Sequence, residues 1–117
     1  MSWIVEVVPE VADWLGQCSS KTHIAVMAAL EALEVEGPAL GRPIVDTISG
    51  SRHRNMKELR PTRSIRLLFA FDPRRHAVVL VAGDKQNDWT GWYLRNIPIA
   101  DQRFDAHLDS LGRKSNG

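Results

Sequence analysis

The spacing of apolar residues between positions 55 and 84 constrains the fold of this 117-residue chain more than any other feature. From Ser64 to Phe71, apolar side chains at alternate positions predict a strand with one buried face, and Arg66 falls on the other face. We therefore expect Arg66 to reach a cationic surface. The segment from His76 to Ala82 is almost wholly apolar, which is typical of a strand covered on both sides. Residues 72–75 favour a tight turn between these two strands.

Helical patterns flank this meander. Trp3 to Val8 predicts a first strand, and residues 9–36 predict two helices that meet near Ser19 or Ser20, either of which can cap the second. After position 88, Pro98 predicts a break between two C-terminal helices. The order of elements indicates an α+β fold. Its N-terminal helical hairpin packs on a small, mainly antiparallel sheet, and C-terminal helices follow.

The length predicts a single domain over residues 1–117, with a frayed tail from about residue 113. A hydrophobic content of 44% supports an ordinary core without a metal or disulfides. The lone Cys18 cannot form an intramolecular bridge. The N-terminus lacks the basic segment of a signal peptide, and no apolar run is long enough to span a membrane. We therefore expect a cytoplasmic protein with no membrane contact.

Charge is distributed unevenly along the chain. The segment from Arg42 to Arg75 contains nine basic and three acidic residues, a local charge of +6, whereas residues 1–41 carry a local charge of −5. Cations on a sheet face suit a phosphate backbone. The candidate RNA-binding residues in and before the meander are Arg52, His53, Arg54 and Arg63.

The residue types exclude several kinds of site. The four histidines lie far apart in the sequence, so we expect no metal, and no phosphate-binding glycine motif indicates a cofactor. A cationic cluster can cleave RNA without a metal, because the substrate's 2′-hydroxyl serves as the nucleophile. Two alternatives remain at this point. One is plain nucleic-acid binding, and the other is a solvated basic surface in which Glu58 or Asp72 forms ion pairs.

Three segments together resemble a known family. They are GRPIVDTISGSRHRNMKELRP, IRLLFAFDPRRHAVVLVAGDK and WYLRNIPIADQRFDAHL. The chain resembles the HigB branch of the RelE/ParE superfamily of toxins from about Trp3 to Leu111. The resemblance implies a RelE-like fold and an mRNA endoribonuclease that acts on messages engaged by the ribosome. It also implies a cognate helix-turn-helix antitoxin.

The resemblance also implies catalytic positions. The matching residues are Lys57, Arg60, Arg66, Lys85 and Tyr93. Tyr93 has a second interpretation, as a core or antitoxin-facing residue, and His53 is either a proton-transfer group or an exposed loop histidine. Lys57 and Arg60 are three residues apart and cannot share a face of a regular strand. ParE-like members share the fold but are associated with gyrase poisoning. A non-enzymatic toxin or binding module that acts through protein contacts therefore remains the alternative function.

Overall fold

A computed structural model describes residues 2–115, with side chains described as far as residue 113. Five strands form one sheet, and helices cover both of its faces. This architecture confirms the expected α+β class. In chain order the elements are β1 (Val5–Val7), α1 (Pro9–Gln17), α2 (Ser20–Glu36), a 3-10 turn (Gly37–Ala39), β2 (Val45–Thr47), β3 (Lys57–Leu59), β4 (Ile65–Phe71), β5 (Ala77–Asp84) and α3 (Trp89–Ser115).

The strands lie in the order β1-β5-β4-β3-β2. Only β1 and β5 pair in parallel, and the other three pairings are antiparallel, as expected. Strand β5 lies between β1 and β4, and the cores on both sides of the sheet bury its side chains, which explains its apolar sequence on both faces. None of the helices in residues 2–115 combines the length and apolar composition needed to cross a membrane.

The N-terminal helical hairpin packs on one face of the sheet. Ser19 caps α2, because its Oγ accepts a hydrogen bond from the backbone N–H of Thr22 at 3.2 Å. Gly37 ends α2 with a positive φ of 55°, which glycine adopts without a steric penalty. A shared core lies between the two layers. Its buried side chains include Val11, Val26, Leu30, Leu33, Leu59, Leu67, Phe69 and Val79.

Helix α3 covers the opposite face and runs without a break from Trp89 to Ser115, so the expected interruption at Pro98 is wrong. Pro98 is exposed, whereas Ile97, Ala100 and Phe104 on either side of it are buried against β4 and β5. This packing offsets the roughly 3 kcal/mol that an internal proline costs a helix. The helix includes the start of the expected frayed tail, and residues 116–117 lie outside the described residues.

A β-bulge in β5 determines which side chains meet α3. Leu68 pairs with Val81 and Phe69 with Val79, so Leu80 is an extra residue without a partner across the ladder. Leu80 and Val81 both pack in the core beneath α3. One extra residue reverses the alternation beyond the bulge. Consequently Gly83 faces α3, where an added Cβ would lie 2.7 Å from Trp92 Nε1, and Lys85 follows on the same side.

Candidate active site

A buried carboxylate, Glu58, lies on the α3-covered face of the sheet. Glu58 is only 3% exposed and stands opposite Leu68 of β4. Its Oε1 accepts a hydrogen bond from Arg60 Nε at 2.8 Å. Its Oε2 accepts one from the Tyr93 hydroxyl at 2.7 Å. The side chains that hold this carboxylate therefore come from the end of β3 and from α3.

Arg66 lies beside Glu58 and is also buried. Its Nη1 donates to the carbonyls of Thr62 and Ile65, both at 2.9 Å. Its Nε lies 3.9 Å from Glu58 Oε1 and has no hydrogen-bond partner among the described residues. The expected strand face is confirmed, but the expectation that Arg66 reaches an open surface is wrong, because Arg66 is 7% exposed. A buried guanidinium nitrogen without a partner is costly unless a ligand satisfies it.

Lys85 and Tyr93 extend this arrangement. Lys85 is 7% exposed, and its Nζ donates to the Tyr93 hydroxyl at 3.1 Å. Burial, followed by the positive charge of Arg66, lowers the pKa of Lys85. Burial and the hydrogen bond to Glu58 raise the pKa of Tyr93 to about 12. At neutral pH, Tyr93 therefore keeps its proton, while Lys85 releases its proton more readily than an ordinary lysine.

We call these residues the Glu58 cluster: Glu58, Arg60, Arg66, Lys85 and Tyr93. Four of the five catalytic positions suggested by the resemblance meet here. Lys57 does not, because it pairs with Phe69 and alternates with Glu58, which places it on the α1–α2 side of the sheet. Arg60 lies one residue beyond β3 and returns to the side of Glu58, which resolves the spacing of Lys57 and Arg60.

The candidate RNA-binding residues divide into two groups. Arg52 and His53 contact α3, because Arg52 Nη2 lies 2.6 Å and His53 Nε2 lies 2.8 Å from the Asp105 carboxylate. Arg54 and Arg63 are exposed. Since Lys57 and the Glu58 cluster lie on opposite sides of the sheet, the basic residues do not form one continuous face.

One group of side chains in residues 2–113 has metal-ligand spacing. Donor atoms of Glu6, Asp72 and His76 lie within 4.8 Å of one another, at the β4–β5 turn. The Arg74 guanidinium, however, donates to Glu6 at 3.0 Å and to Asp72 at 2.8 Å. His107 Nε2 also lies 2.8 Å from Asp72. A cationic side chain therefore already compensates these carboxylates, and they lie at the opposite end of the sheet from Glu58.

A cavity of about 660 Å³ opens beside the Glu58 cluster. Glu58 and Tyr93 form part of its wall, and the β2–β3 connection and the first turns of α3 complete it. Trp89 also lines the cavity and is 45% exposed. The cavity gives a ligand access to a carboxylate that the sheet and α3 otherwise cover.

Sequence reasoning missed two of these residues. Glu58 was considered only as an ion-pair partner, and Trp89 only as part of a helix. The signal for Glu58 was its alternation with Arg60, which places both on one side of the chain. Trp89 had no comparable signal, because its position over Lys85 depends on how α3 packs against the sheet.

Comparisons with known proteins identify the family to which the chain belongs. The family model "Phage derived protein Gp49-like (DUF891)" matches residues 13–105. The chain is 50% identical over 107 residues to "Putative toxin HigB3" of Mycobacterium tuberculosis (strain ATCC 25618 / H37Rv), covering 91% of this chain and 94% of that protein. It is 49% identical over 112 residues to "Putative toxin HigB2" of the same organism. That match covers 92% of this chain and spans about half, 55%, of HigB2.

The fold is also similar to that of RelE in the archaeal RelE–RelB complex from Pyrococcus horikoshii OT3. The TM-score is 0.59 at 14% identity, and the match covers 73% of this chain and 97% of that one. This likeness concerns the fold alone. The chain therefore belongs to the Gp49-like family and, with it, to the HigB-type toxins of the RelE/ParE toxin–antitoxin superfamily.

Proposed function

We propose that this protein is the toxin of a type II toxin–antitoxin system and cleaves mRNA engaged by the ribosome, without a metal ion. The observation that carries the proposal is the Glu58 cluster. It brings together a buried carboxylate, a hydroxyl, an ammonium group and two guanidinium groups beside a cavity that Glu58 and Tyr93 line. This set supplies a proton acceptor, a proton donor and anion-binding groups.

Arg66 and Arg60 serve as the phosphate-binding groups in this proposal. The Arg66 Nε has no partner among the described residues, so a phosphate oxygen would satisfy a donor that is otherwise buried at a cost. Arg60 is about one-third exposed and turns its guanidinium toward Glu58 at 2.7 Å. Preorganised guanidinium groups stabilise the charge that develops on the phosphate in the transition state.

The reaction itself is an internal transesterification. The RNA O2′ forms a bond to phosphorus, and the P–O5′ bond breaks. Glu58 accepts the proton of the 2′-hydroxyl, since its carboxylate has lone pairs beyond those used by Arg60 and Tyr93. The Tyr93 hydroxyl turns from Glu58 and gives its proton to the leaving O5′, and Lys85, which donates to this hydroxyl at 3.1 Å, replaces that proton. The products are a 2′,3′-cyclic phosphate and a 5′-hydroxyl fragment.

The decisive experiment is induced expression followed by primer extension on a translated message, repeated with purified protein and programmed ribosomes. We expect discrete new 5′ ends from the wild-type chain. Arg113→Ala is the matched control, because Arg113 is exposed and forms a surface ion pair with Asp109 of the same helix. It should leave the cut pattern unchanged. Growth arrest without RNA cleavage would refute the nuclease and favour a toxin that acts through protein contacts.

Metal independence requires a separate measurement. Cleavage is assayed in the presence of EDTA on ribosomes whose integrity is maintained with polyamines. We expect the rate to persist, because the Glu58 cluster contains one carboxylate with four basic or hydroxyl groups around it. Loss of activity that returns with one specific divalent ion would contradict this part of the proposal.

A protein antitoxin is the second part of the proposal. The relatives are named as toxins, and the similar archaeal RelE was solved in complex with RelB. We expect a small helix-turn-helix protein encoded by the adjacent reading frame to bind this chain. Co-expression should restore growth and yield a stable complex on gel filtration. Growth that stays suppressed, with no complex recovered, would show that this frame does not encode the antitoxin.

A further inference from the structure

The cavity beside the Glu58 cluster has a wall that the proposed chemistry does not use. Glu58 and Tyr93 occupy one side, and the remaining walls come from the β2–β3 connection and from α3. The polar part includes Thr47 and Ser49, and the apolar part includes Trp89. A group bound here would lie directly next to whatever the Glu58 cluster holds.

The Trp89 ring packs against Lys85 and is still accessible from the cavity. The Lys85 ammonium lies 4.3 Å from the centroid of the Trp89 ring, so a cation packs on the indole from the side of the cluster. Trp89 nevertheless remains 45% exposed and lines the cavity. An aromatic ring that is held by a buried charge and open to a cavity is suited to stacking against a planar ligand.

The cavity is large enough to hold a nucleobase, and its lining suits one. Its volume of about 660 Å³ falls within the range of sites for small molecules. Single-stranded RNA is bound by stacking bases on aromatic side chains and by hydrogen bonds to the base edges. Here Trp89 provides the stacking surface, and Thr47 and Ser49 provide hydroxyl groups.

We propose that this cavity binds the nucleobase next to the scissile phosphate, stacked on Trp89, and that it contributes to the choice of cleavage site. The inference rests on the proposed RNA cleavage. Its geometric basis is the shared wall, because Glu58 and Tyr93 line the cavity and also belong to the Glu58 cluster. Bases flanking a phosphate in that cluster are within reach of Trp89.

The test measures kcat/KM and the distribution of cut sites on programmed ribosomes. Trp89→Ala should lower kcat/KM by about 5- to 150-fold, the range typical of losing one base-stacking contact, and should broaden the cut-site distribution. Trp89→Phe keeps an aromatic ring and should retain most of both properties. Ile24→Ala removes an exposed apolar side chain from α2, on the other face of the sheet, and should change neither.

A second variant separates base binding from an indirect effect on Lys85. Ser49→Phe fills the cavity from the exposed β2–β3 connection, without altering the ring over Lys85. It should also lower kcat/KM and alter the cut sites while leaving the pH dependence of kcat unchanged. A shifted pH profile in Trp89→Ala, together with wild-type behaviour of Ser49→Phe, would overturn the inference, because Trp89 would then act only through Lys85.

The remaining outcomes are also distinguishable. If the wild type cleaves RNA and both Trp89→Ala and Ser49→Phe cleave with wild-type kinetics and cut sites, the inference fails and the proposed function stands. If these variants cleave normally but lose antitoxin binding, the cavity binds a protein segment and the inference again fails. If the wild type cleaves no RNA, the proposed function fails and the inference fails with it.

Discussion

Two buried carboxylates at opposite ends of the same sheet have similar sequence surroundings and different environments. Glu58 and Asp72 are each followed two residues later by an arginine that pairs with them. Asp72 also accepts hydrogen bonds from the backbone N–H groups of Arg74 and His76, so its own turn satisfies it. Glu58 is held by side chains alone, next to an arginine nitrogen without a partner among the described residues.

The protonation properties of the two regions differ in the same way. Burial would raise the pKa of Asp72, but hydrogen bonds from His107 and Arg74 outweigh it and lower the pKa to about 2. Asp72 is therefore a stable anion with fixed partners. In the Glu58 cluster, the pKa of the Lys85 amine is lowered and so moves toward neutral pH. The pKa of the Tyr93 phenol is raised and so moves away from neutral pH. Opposed shifts of neighbouring groups are typical of acid–base sites.

The largest expected effect is on cleavage by Arg66→Ala. Losing one preorganised charged donor at a developing oxyanion costs about 2.7–4 kcal/mol, or roughly 100- to 1000-fold in rate. The variant should also be less stable, since Arg66 donates to two carbonyl groups and is buried. The measurement is the cleavage rate per folded molecule, with the folded fraction taken from thermal unfolding. A near wild-type rate at full folding would remove Arg66 from the site.

Tyr93→Phe should follow in size. It removes the hydroxyl that donates to Glu58 and accepts from Lys85. We expect a loss of about 100-fold in cleavage, as for one proton-transfer group. The ring contact with Trp92, at 5.3 Å between centroids, should be retained, so the melting temperature should change little. A rate within threefold of wild type would show that the proton reaches O5′ without Tyr93.

The Asp72 region should respond in stability and not in catalysis. The folded-state pKa of Asp72, about 2, lies below the ordinary 3.8, so its carboxylate adds about 2 kcal/mol to the free energy of unfolding above pH 4. This contribution is lost as the pH falls from about 4 to 2. Asp72→Asn should lower the free energy of unfolding by about 2 kcal/mol at neutral pH and flatten its pH dependence below pH 4. Urea unfolding across this pH range measures both.

Cleavage by Asp72→Asn, normalised to the folded fraction, is the control for this comparison. It should equal the wild-type rate, because Asp72 lies at the far end of the sheet from the Glu58 cluster. A variant that folds normally but cleaves at a tenth of the wild-type rate would contradict the separation of the two regions. Asp72 would then belong to a larger functional surface.

The smallest expected effect is that of Lys57→Ala. The resemblance places Lys57 among the catalytic residues, but β3 directs it to the α1–α2 side of the sheet. If the site is confined to the side of α3, cleavage should change by less than about threefold. The free energy of unfolding should change by only about 0.5 kcal/mol, as is usual for a surface substitution. The measurement is kcat/KM beside that of Arg66→Ala. A tenfold loss would mean that bound RNA contacts both sides of β3.

Much of the fold follows from local patterns. The alternation in β4 and the choice of Ser19 or Ser20 as a helix cap predicted those elements, because each depends on a few neighbouring residues. Pro98 shows the limit of such reasoning. A local rule predicted a helix break there, but burial of the flanking residues against the sheet outweighed the rule.

The site shows the same division. The sequence alone determined that Arg66 lies opposite the apolar stripe of β4, and the resemblance brought Arg60, Lys85 and Tyr93 into consideration. Only the tertiary structure decided that Arg66 is buried, that the bulge at Leu80 turns Lys85 toward α3, and that Glu58 is the group around which they meet. Alternation is a local property of one strand. Burial and proximity depend on which element covers that strand. Helix α3 covers β3 but is separated from it in the sequence by β4 and β5, so no local pattern in β3 reveals the contact.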